Sequence, residues 1–456
     1  MRAILLSTTA LLLVACGNDA DSNTADTDDD MSVAVEDGTT DSTDTDDMAG
    51  DPVTATDMVA TGSENDAADT NGMRASMDGE PVPQGEPNTP SQTPAFPGQT
   101  RAPQSESGVT LQAEEIAGFD TPWAMALLPG GGYLVTERGG DLYMVSAGGE
   151  KSEPITGVPE VDNRDQGGLL DIAISPDFSS DRMVYFAFSE PRGNNENGTS
   201  LARATLSEDM TALEGVEVIF QQMPAWESTK HYGNNIEFDG EGHIYLTLGE
   251  RSLPEPRQLA QDLNAHLGKV VRLDMDGTAA EGNPFVGQAE TLPEIWSYGH
   301  RNMQGADIHP ETGRLWTIEH GPAGGDEINI PSAGTNYGWP VITYGEDYDG
   351  TPIGDGMTEQ EDMAQPMYYW DPVIAPGDMV FYEGEMFADW QGDLLIASLK
   401  PGAIVRLELD GDRVVGEERL LTDLGRIRDI DVDEDGSILI LTDESNGGLY
   451  RVTPQQ

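Results

Sequence analysis

From Pro122 onward the chain alternates short apolar runs with turn residues, and the alternation repeats. A polar or aromatic opener leads into a short apolar strand. A turn follows, and a second strand ends in polar residues. The copies are PWAMALLPGGGYLVTERGGDLYMV from Pro122, QGGLLDIAISPDFSSDRMVYFAFSEP from Gln166 and HYGNNIEFDGEGHIYLTLGER from His231. They continue as HRNMQGADIHPETGRLWTIEHG from His300, GDMVFYEGEMFADWQGDLLIASLKPGAIVRLEL from Gly377 and RIRDIDVDEDGSILILTDESNGGLYRV from Arg426. Their turns (PGGG, SPDF, DGEG, PETG, ADWQG, DEDG) have hairpin chemistry. Helical periodicity is scarce, and the stretch 259–267 is the one candidate. Six hairpin-rich units with one internal order predict an all-β fold, a six-bladed β-propeller. A β-sandwich or β-helix, the competing architectures, gives no reason for units of this length.

Propeller geometry turns sequence repeats into one place. Equivalent positions of successive blades surround one axis, so the openers Trp123, Gln166, His231, Arg301, Asp378 and Arg428 are expected at one mouth of the channel. The residues ending the second strands, Glu137, Glu250, His320, Lys400 and Asp443, are expected near them. Arg301, Lys400, Arg426 and Arg428 then stand together in a chain with only 23 Lys and Arg. Each could pair with a nearby carboxylate. As a set at repeat-equivalent positions they point to an anionic ligand carrying several carboxylates.

Composition sets the surroundings of this domain. The net charge of −60 makes nucleic acid an unsuitable partner, and one cysteine allows no internal disulfide. Residues 1–15 read as a signal peptide, with Arg2 before an apolar run too short to span a membrane. Leu13-Val14-Ala15-Cys16 resembles a bacterial lipobox. It implies export, lipidation of Cys16 and anchoring on the periplasmic side of the cell envelope, with Gly17 favouring the outer membrane. Residues 16–107 are rich in Asp, Thr, Ser and later Pro, and are expected to form a disordered acidic tether. Residues 108–456 make up the folded domain.

Ten motifs in order carry a family resemblance: PWAMALLPGG, DQGGLLDIAISPDF, HYGNN with LTLGER, LGKVVRLD, SYGHRNMQG, HGPAGGDEIN, NYGWP, YYWDPVIAPGDM, SLKPGAIVRL and GRIRDI. Together they resemble the soluble glucose/sorbosone dehydrogenases that use pyrroloquinoline quinone (PQQ), of the aldose sugar dehydrogenase type. The resemblance spans about 122–452 and implies a six-bladed propeller with PQQ at the channel mouth. It implies that His231 takes the proton of the anomeric hydroxyl, that Glu250 orients it, and that Arg301 stabilises charge at the reacting carbonyl. Gln166, Arg301, Asn302, Lys400, Arg426, Arg428 and Trp370 are implied as cofactor contacts. Gly321 and Pro322 are implied at a cofactor-bound Ca2+, and Glu327 and Tyr337 at a structural one. An aldose is the implied substrate, with an electron acceptor that the motifs do not identify.

Three positions depart from the family pattern. Glu250 stands where Asp is usual, Asn235 where Arg is frequent, and Asp378 where Ser is common. These departures leave one competing reading, a non-catalytic propeller lipoprotein acting as a surface binding scaffold. The retained Gln166, His231, Arg301, Asn302, Lys400, Arg426 and Arg428 argue against it. The run Asp431 to Gly436 resembles the start of a calcium-binding loop, but Thr442 at its twelfth position and the lack of a following helix make it a hairpin turn.

Overall fold

The computed structural model describes residues 79–455. The signal peptide, Cys16 and the acidic stretch up to residue 78 lie outside the described residues. The strands form six antiparallel sheets, five of four strands and one of three. Blade I comprises Pro122–Leu127, Tyr133–Glu137 and Leu142–Val145. The innermost strands of blades II to VI are Leu169–Ile174, Gly233–Phe238, Met303–Ile308, Pro376–Phe381 and Ile427–Val432. Each innermost strand packs on that of the next blade, and the last packs on the first, so the ring is closed. Blade VI completes itself with Leu111–Phe119, which pairs with Gly447–Pro454. Pairing the first strand of the propeller with the last in one sheet closes the ring through hydrogen bonds.

The core lies between blades. Trp123, Leu134 and Leu142 of blade I pack on Leu169, Phe186 and Phe188 of blade II, and comparable apolar layers fill the other interfaces. This explains the apolar runs of the second strands. Leu315–Glu319, Leu394–Ser398 and Ile438–Thr442 are buried at every residue because each is covered on both faces.

Two expectations differ from the structure. The helix expected at 259–267 is a single turn at Pro254–Arg257 followed by a 3-10 turn at Gln258–Gln261. Beyond it, the buried Lys269 ammonium donates to the carbonyls of Leu259 (2.9 Å), Ala260 (3.0 Å) and Leu267 (2.6 Å). Bonding to those carbonyls closes the segment into a loop instead of a longer helix.

The second difference concerns the linker. Residues 79–107 were expected within the tether, yet they form a strap packed on blades IV and V. Their composition offers almost no apolar payload, but specific polar bonds replace it. The Asp371 carboxylate accepts the Asn88 N–H (2.8 Å), the Thr89 N–H (3.0 Å) and the Thr89 hydroxyl (2.8 Å). Gln99 is fully buried against Pro366, and the Ala102 N–H donates to the Tyr368 hydroxyl at 2.9 Å. Asp371→Ala leaves these donors buried without their acceptor and is expected to cost roughly 3 kcal/mol. Denaturant unfolding of Asp371→Ala, Thr89→Ala and the double variant checks this. Strongly non-additive losses are expected, and a loss under about 1 kcal/mol for Asp371→Ala would show that the strap adds nothing to the fold.

Candidate active site

The mouth of the channel is assembled from the starts of the inner strands and the ends of the second strands. His231 lies two residues before the inner strand of blade III, and Glu250 lies two residues after the second strand of that blade. The two meet because glycines let the backbones close up. A Cβ at Gly233, where φ is +67°, would stand 2.7 Å from Leu248 Cα, and one at Gly249 would stand 2.1 Å from the His231 carbonyl oxygen. His231 itself is held at φ +52°, a region that costs a non-glycine residue about 1–2 kcal/mol and is tolerated where the surroundings impose it.

Those surroundings are specific. The His231 N–H donates to Gln166 Oε1 at 2.9 Å. Arg251, fully buried, donates to the carbonyls of Ser228 (2.7 Å), Lys230 (2.7 Å) and His231 (3.2 Å), bonds Asn197, and lies 3.7 Å over the Tyr232 ring. The imidazole Nδ1 is 2.9 Å from Glu250 Oε2. With Glu250 ionised and His231 neutral, Nδ1–H donates to the carboxylate and Nε2 keeps a lone pair. Burial lowers the His231 pKa, the Glu250 charge partly opposes that, and Arg301 lowers it further. Burial alone would raise Glu250, but His231, Arg301 and the Ser252 N–H outweigh it and lower its pKa. The dyad is thus a neutral imidazole beside a charged carboxylate, and the longer side chain of Glu250 still reaches the ring.

Arg301 stands beside it. Its guanidinium makes one hydrogen bond, to the His320 carbonyl at 2.9 Å, and lies 5.2 Å from the Trp339 ring. Among the described residues no carboxylate lies within ion-pair distance of Arg301 or Lys400, and the buried Nε atoms of Arg301 and Arg428 have no partner. The Asn302 carboxamide accepts from the Gly233 N–H at 3.2 Å and from Gln304 Nε2 at 3.3 Å. Gln304 Oε1 in turn accepts from Arg428 at 3.2 Å, and Arg428 lies 4.2 Å over Trp123. Arg426 and Arg428 share Asp443, at 3.2 and 2.7 Å. Burial would raise Asp443, but the two guanidiniums hold it down at about 2.

The structure therefore brings His231, Glu250, Gln166, Arg301, Asn302, Arg426 and Arg428 together. Lys400 is exposed at the edge of the mouth, where its N–H bonds the Ile374 carbonyl at 3.1 Å. Glu137 is not part of the group, because it is tied to Lys151 at 3.1 Å and to the Asp120 N–H. Trp370 is a correction. It is 1% exposed in the interface of blades IV and V, and its indole N–H donates to Glu417 at 3.2 Å, so it has no face to offer a ligand.

Trp123 and His320 were expected at the mouth without a role, and Trp339 and Gln304 were not assigned to the site from the sequence. Gln304 had a signal, since it lies two residues beyond Asn302, at the start of the inner strand of blade IV. His320 Nε2 donates to the Pro376 carbonyl at 2.6 Å, and burial, with Arg428 and Arg301 nearby, lowers its pKa to about 3. It is a neutral structural strut between blades IV and V.

The turn after His320 is organised by Asp326. One carboxylate oxygen accepts the Gly321 N–H at 2.8 Å, and the other accepts the N–H groups of Ile374 (2.8 Å) and Ala375 (2.7 Å). Glu327 follows on the next strand, and burial, followed by repulsion from Glu319, raises its pKa well above the usual range. Asn329 donates to both Glu319 (2.9 Å) and Glu327 (3.1 Å) and leaves its own Oδ1 without a partner. The Tyr337 hydroxyl is committed to the Ile330 carbonyl (2.6 Å) and the Ser332 N–H (3.1 Å).

The sequence model of a family described as Glucose / Sorbosone dehydrogenase matches residues 119–451. The chain is 42% identical over 340 residues to aldose sugar dehydrogenase YliI of Escherichia coli (strain K12), spanning 74% of this chain and 91% of that protein. It is 26% identical over 415 residues to quinoprotein glucose dehydrogenase B of Acinetobacter calcoaceticus, spanning 74% of this chain and 86% of that one. The crystal structure of soluble aldose sugar dehydrogenase from Escherichia coli in the apo-form superposes with a TM-score of 0.73 at 40% identity, over 76% of this chain and all of that one. The PQQ-bound form of aldose sugar dehydrogenase from Streptomyces coelicolor gives 0.63 at 26% identity, over 76% and 99%.

Proposed function

The chain belongs to the glucose/sorbosone dehydrogenase family and is a sugar oxidoreductase, and from that premise we propose that it oxidises aldoses at the anomeric carbon to lactones with PQQ as the hydride acceptor. The observation that carries this reading is the His231–Glu250 dyad, 2.9 Å apart, set beside the carboxylate-free guanidinium of Arg301. His231 Nε2 is the base for the anomeric hydroxyl proton, and Glu250 fixes the tautomer and steadies the imidazolium that forms. The developing negative charge falls to Arg301, positioned by its bond to the His320 carbonyl and by the Trp339 ring.

The residues present fit the cofactor. PQQ is a planar tricarboxylate quinone, and it supplies the two-electron acceptor that the side chains lack. Arg301, Arg428, Arg426 and Lys400 offer the charge to hold it, and Gln166 and Asn302 offer neutral hydrogen-bonding groups beside it. The carbonyls of Gly321 and Pro322, on the turn fixed by Asp326, are hard oxygen donors suited to Ca2+ beside the cofactor. A second Ca2+ at Glu327 would relieve its repulsion with Glu319. The committed hydroxyl of Tyr337 leaves that residue only its backbone carbonyl as a ligand.

The test is titration of the purified full chain with PQQ in the presence of Ca2+, followed by dye reduction with a panel of aldoses. Saturable binding with sugar-dependent reduction is expected. Binding without reduction by any aldose would remove the catalytic assignment of His231, and no binding would overturn the cofactor assignment.

A further inference from the structure

Beneath the mouth, the channel changes character. A cavity of about 340 Å³ is walled by the inner strands of all six blades. Asp171, Glu237, Asp307, Asp378, Asp429 and Asp431 line it, and no Lys or Arg is among the residues that do. Three of these carboxylates have a structural task. Asp171 accepts the Ile236 N–H, Asp307 the Phe381 N–H and Asp429 the Met125 N–H, each at 2.7 Å, stapling blade II to III, IV to V and VI to I. Asp378, Glu237 and Asp431 take no part in these staples between neighbouring blades; Asn235 of blade III reaches Asp378 across the channel at 3.4 Å, and Asp431 accepts the Val432 N–H of its own strand.

So many carboxylates in a protein-walled space repel one another. Burial, then the neighbouring Asp429, raises Asp171 to about 8 and raises Asp378 well above the usual range. The cost is relieved in one of two ways, by protons or by a cation from solution.

A second observation points to a ligand. Asn235 is 7% exposed and lines the same cavity. Its Nδ2 donates to Asp378 Oδ1 at 3.4 Å, and its own Oδ1 has no partner in the protein. With Asp378 ionised, the reversed amide would set two oxygens against each other. The result is a buried carbonyl oxygen without a donor, in a cavity whose other polar groups are carboxylates. Such an oxygen can be satisfied by the O–H of a protonated neighbour or by a hard cation, for which it is a good ligand.

The spacing defines the kind of ion. Among the described residues, Asp239, Glu241 and His243 are the only group of three whose ligand atoms lie within 4.8 Å of one another. That group sits at a turn and is already neutralised by Arg272, 2.8 Å from Asp239. The channel carboxylates are spread more widely, which suits an ion that keeps part of its water shell, and the cavity has the room.

We propose that the channel binds one partly hydrated divalent cation, Mg2+ or Ca2+, held by Asp378, Asp429 and the Asn235 carbonyl oxygen. Asp429 directly follows Arg428, so the ion lies one layer below the mouth. It is separate from the Gly321–Pro322 turn and from Glu327.

The test uses the full chain, free of PQQ and stripped by chelator, titrated calorimetrically with MgCl2 and with CaCl2. Asp378→Asn should bind one equivalent fewer than the unmodified protein, and Asn235→Ala should weaken that equivalent roughly tenfold. Neither substitution removes one of the three 2.7 Å staples between neighbouring blades, and unchanged thermal midpoints in chelator confirm the fold. Crystals soaked in Mn2+ should show an anomalous peak in the channel. The proposal is overturned if the unmodified protein binds no cation, if Asp378→Asn keeps every equivalent, or if the peaks lie only elsewhere. Because the readout needs neither cofactor nor sugar, its failure leaves the proposed oxidation untouched, and failure of the oxidation leaves the cation site standing.

Discussion

His231→Asn is expected to lower kcat by roughly 10²–10⁴-fold while PQQ titrates the protein as before. The side chain is 9% exposed, and one ring nitrogen is spent on Glu250, so only Nε2 is left for substrate. Asparagine fills much of the space but offers no basic nitrogen. The pH profile sharpens the prediction. Burial already depresses the His231 pKa, and Glu250 pulls it partly back up. The imidazole therefore stays neutral below its ordinary value of about 6.5, and the acid limb of kcat lies under that value. Glu250→Gln removes the opposing charge, so the limb moves to still lower pH while the rate falls through loss of orientation. Stopped-flow reduction across pH reads both effects. A limb that does not move would show that Glu250 packs beside the ring without acting on it.

Much of this site was legible in the sequence because a propeller makes repeat position equivalent to spatial position. Once HYGNN and GHRNMQG are recognised as openers of successive blades, His231, Arg301 and Asn302 must converge. What the repeats do not carry is depth. Trp370 follows two tyrosines in an outer strand, and nothing in that pattern says that its indole faces the next blade and bonds Glu417. Glu137 ends its strand as Glu250 does, but Lys151 draws it aside. The strap at 79–107 was unreadable for another reason. Its composition is that of a disordered segment, and its order comes from polar contacts at long sequence separation, chiefly Asp371 with Asn88 and Thr89. Composition reports apolar payload but not the presence of a distant acceptor. The acidic channel lies between these cases. Each Asp was visible, but the unpartnered oxygen of Asn235 appears only when the blades are placed around it.

Among the cations of the mouth, Arg301 is expected to matter most, and Arg301→Ala should lower kcat/KM for aldose by roughly 10²–10³-fold. The ranking follows from pairing. Arg426 is half exposed and shares Asp443 with Arg428, so much of its charge is already spent and screened by solvent. Arg428 is buried but also neutralised by that carboxylate. Arg301 is 5% exposed and has no carboxylate partner among the described residues, and its position is fixed by the His320 carbonyl and Trp339. An unneutralised guanidinium in a buried, rigid setting meets new negative charge without first breaking an ion pair. Arg301→Lys keeps the charge but loses the planar fork and the stacking, so it should recover only part of the loss. Arg426→Ala should change the rate by less than about threefold. Steady-state kinetics at saturating PQQ, with thermal midpoints to confirm folding, tests the order. If Arg301→Ala binds PQQ and turns over within about threefold of the unmodified protein, the free guanidinium is not part of the reaction, and the charge must be met by Arg428 despite Asp443.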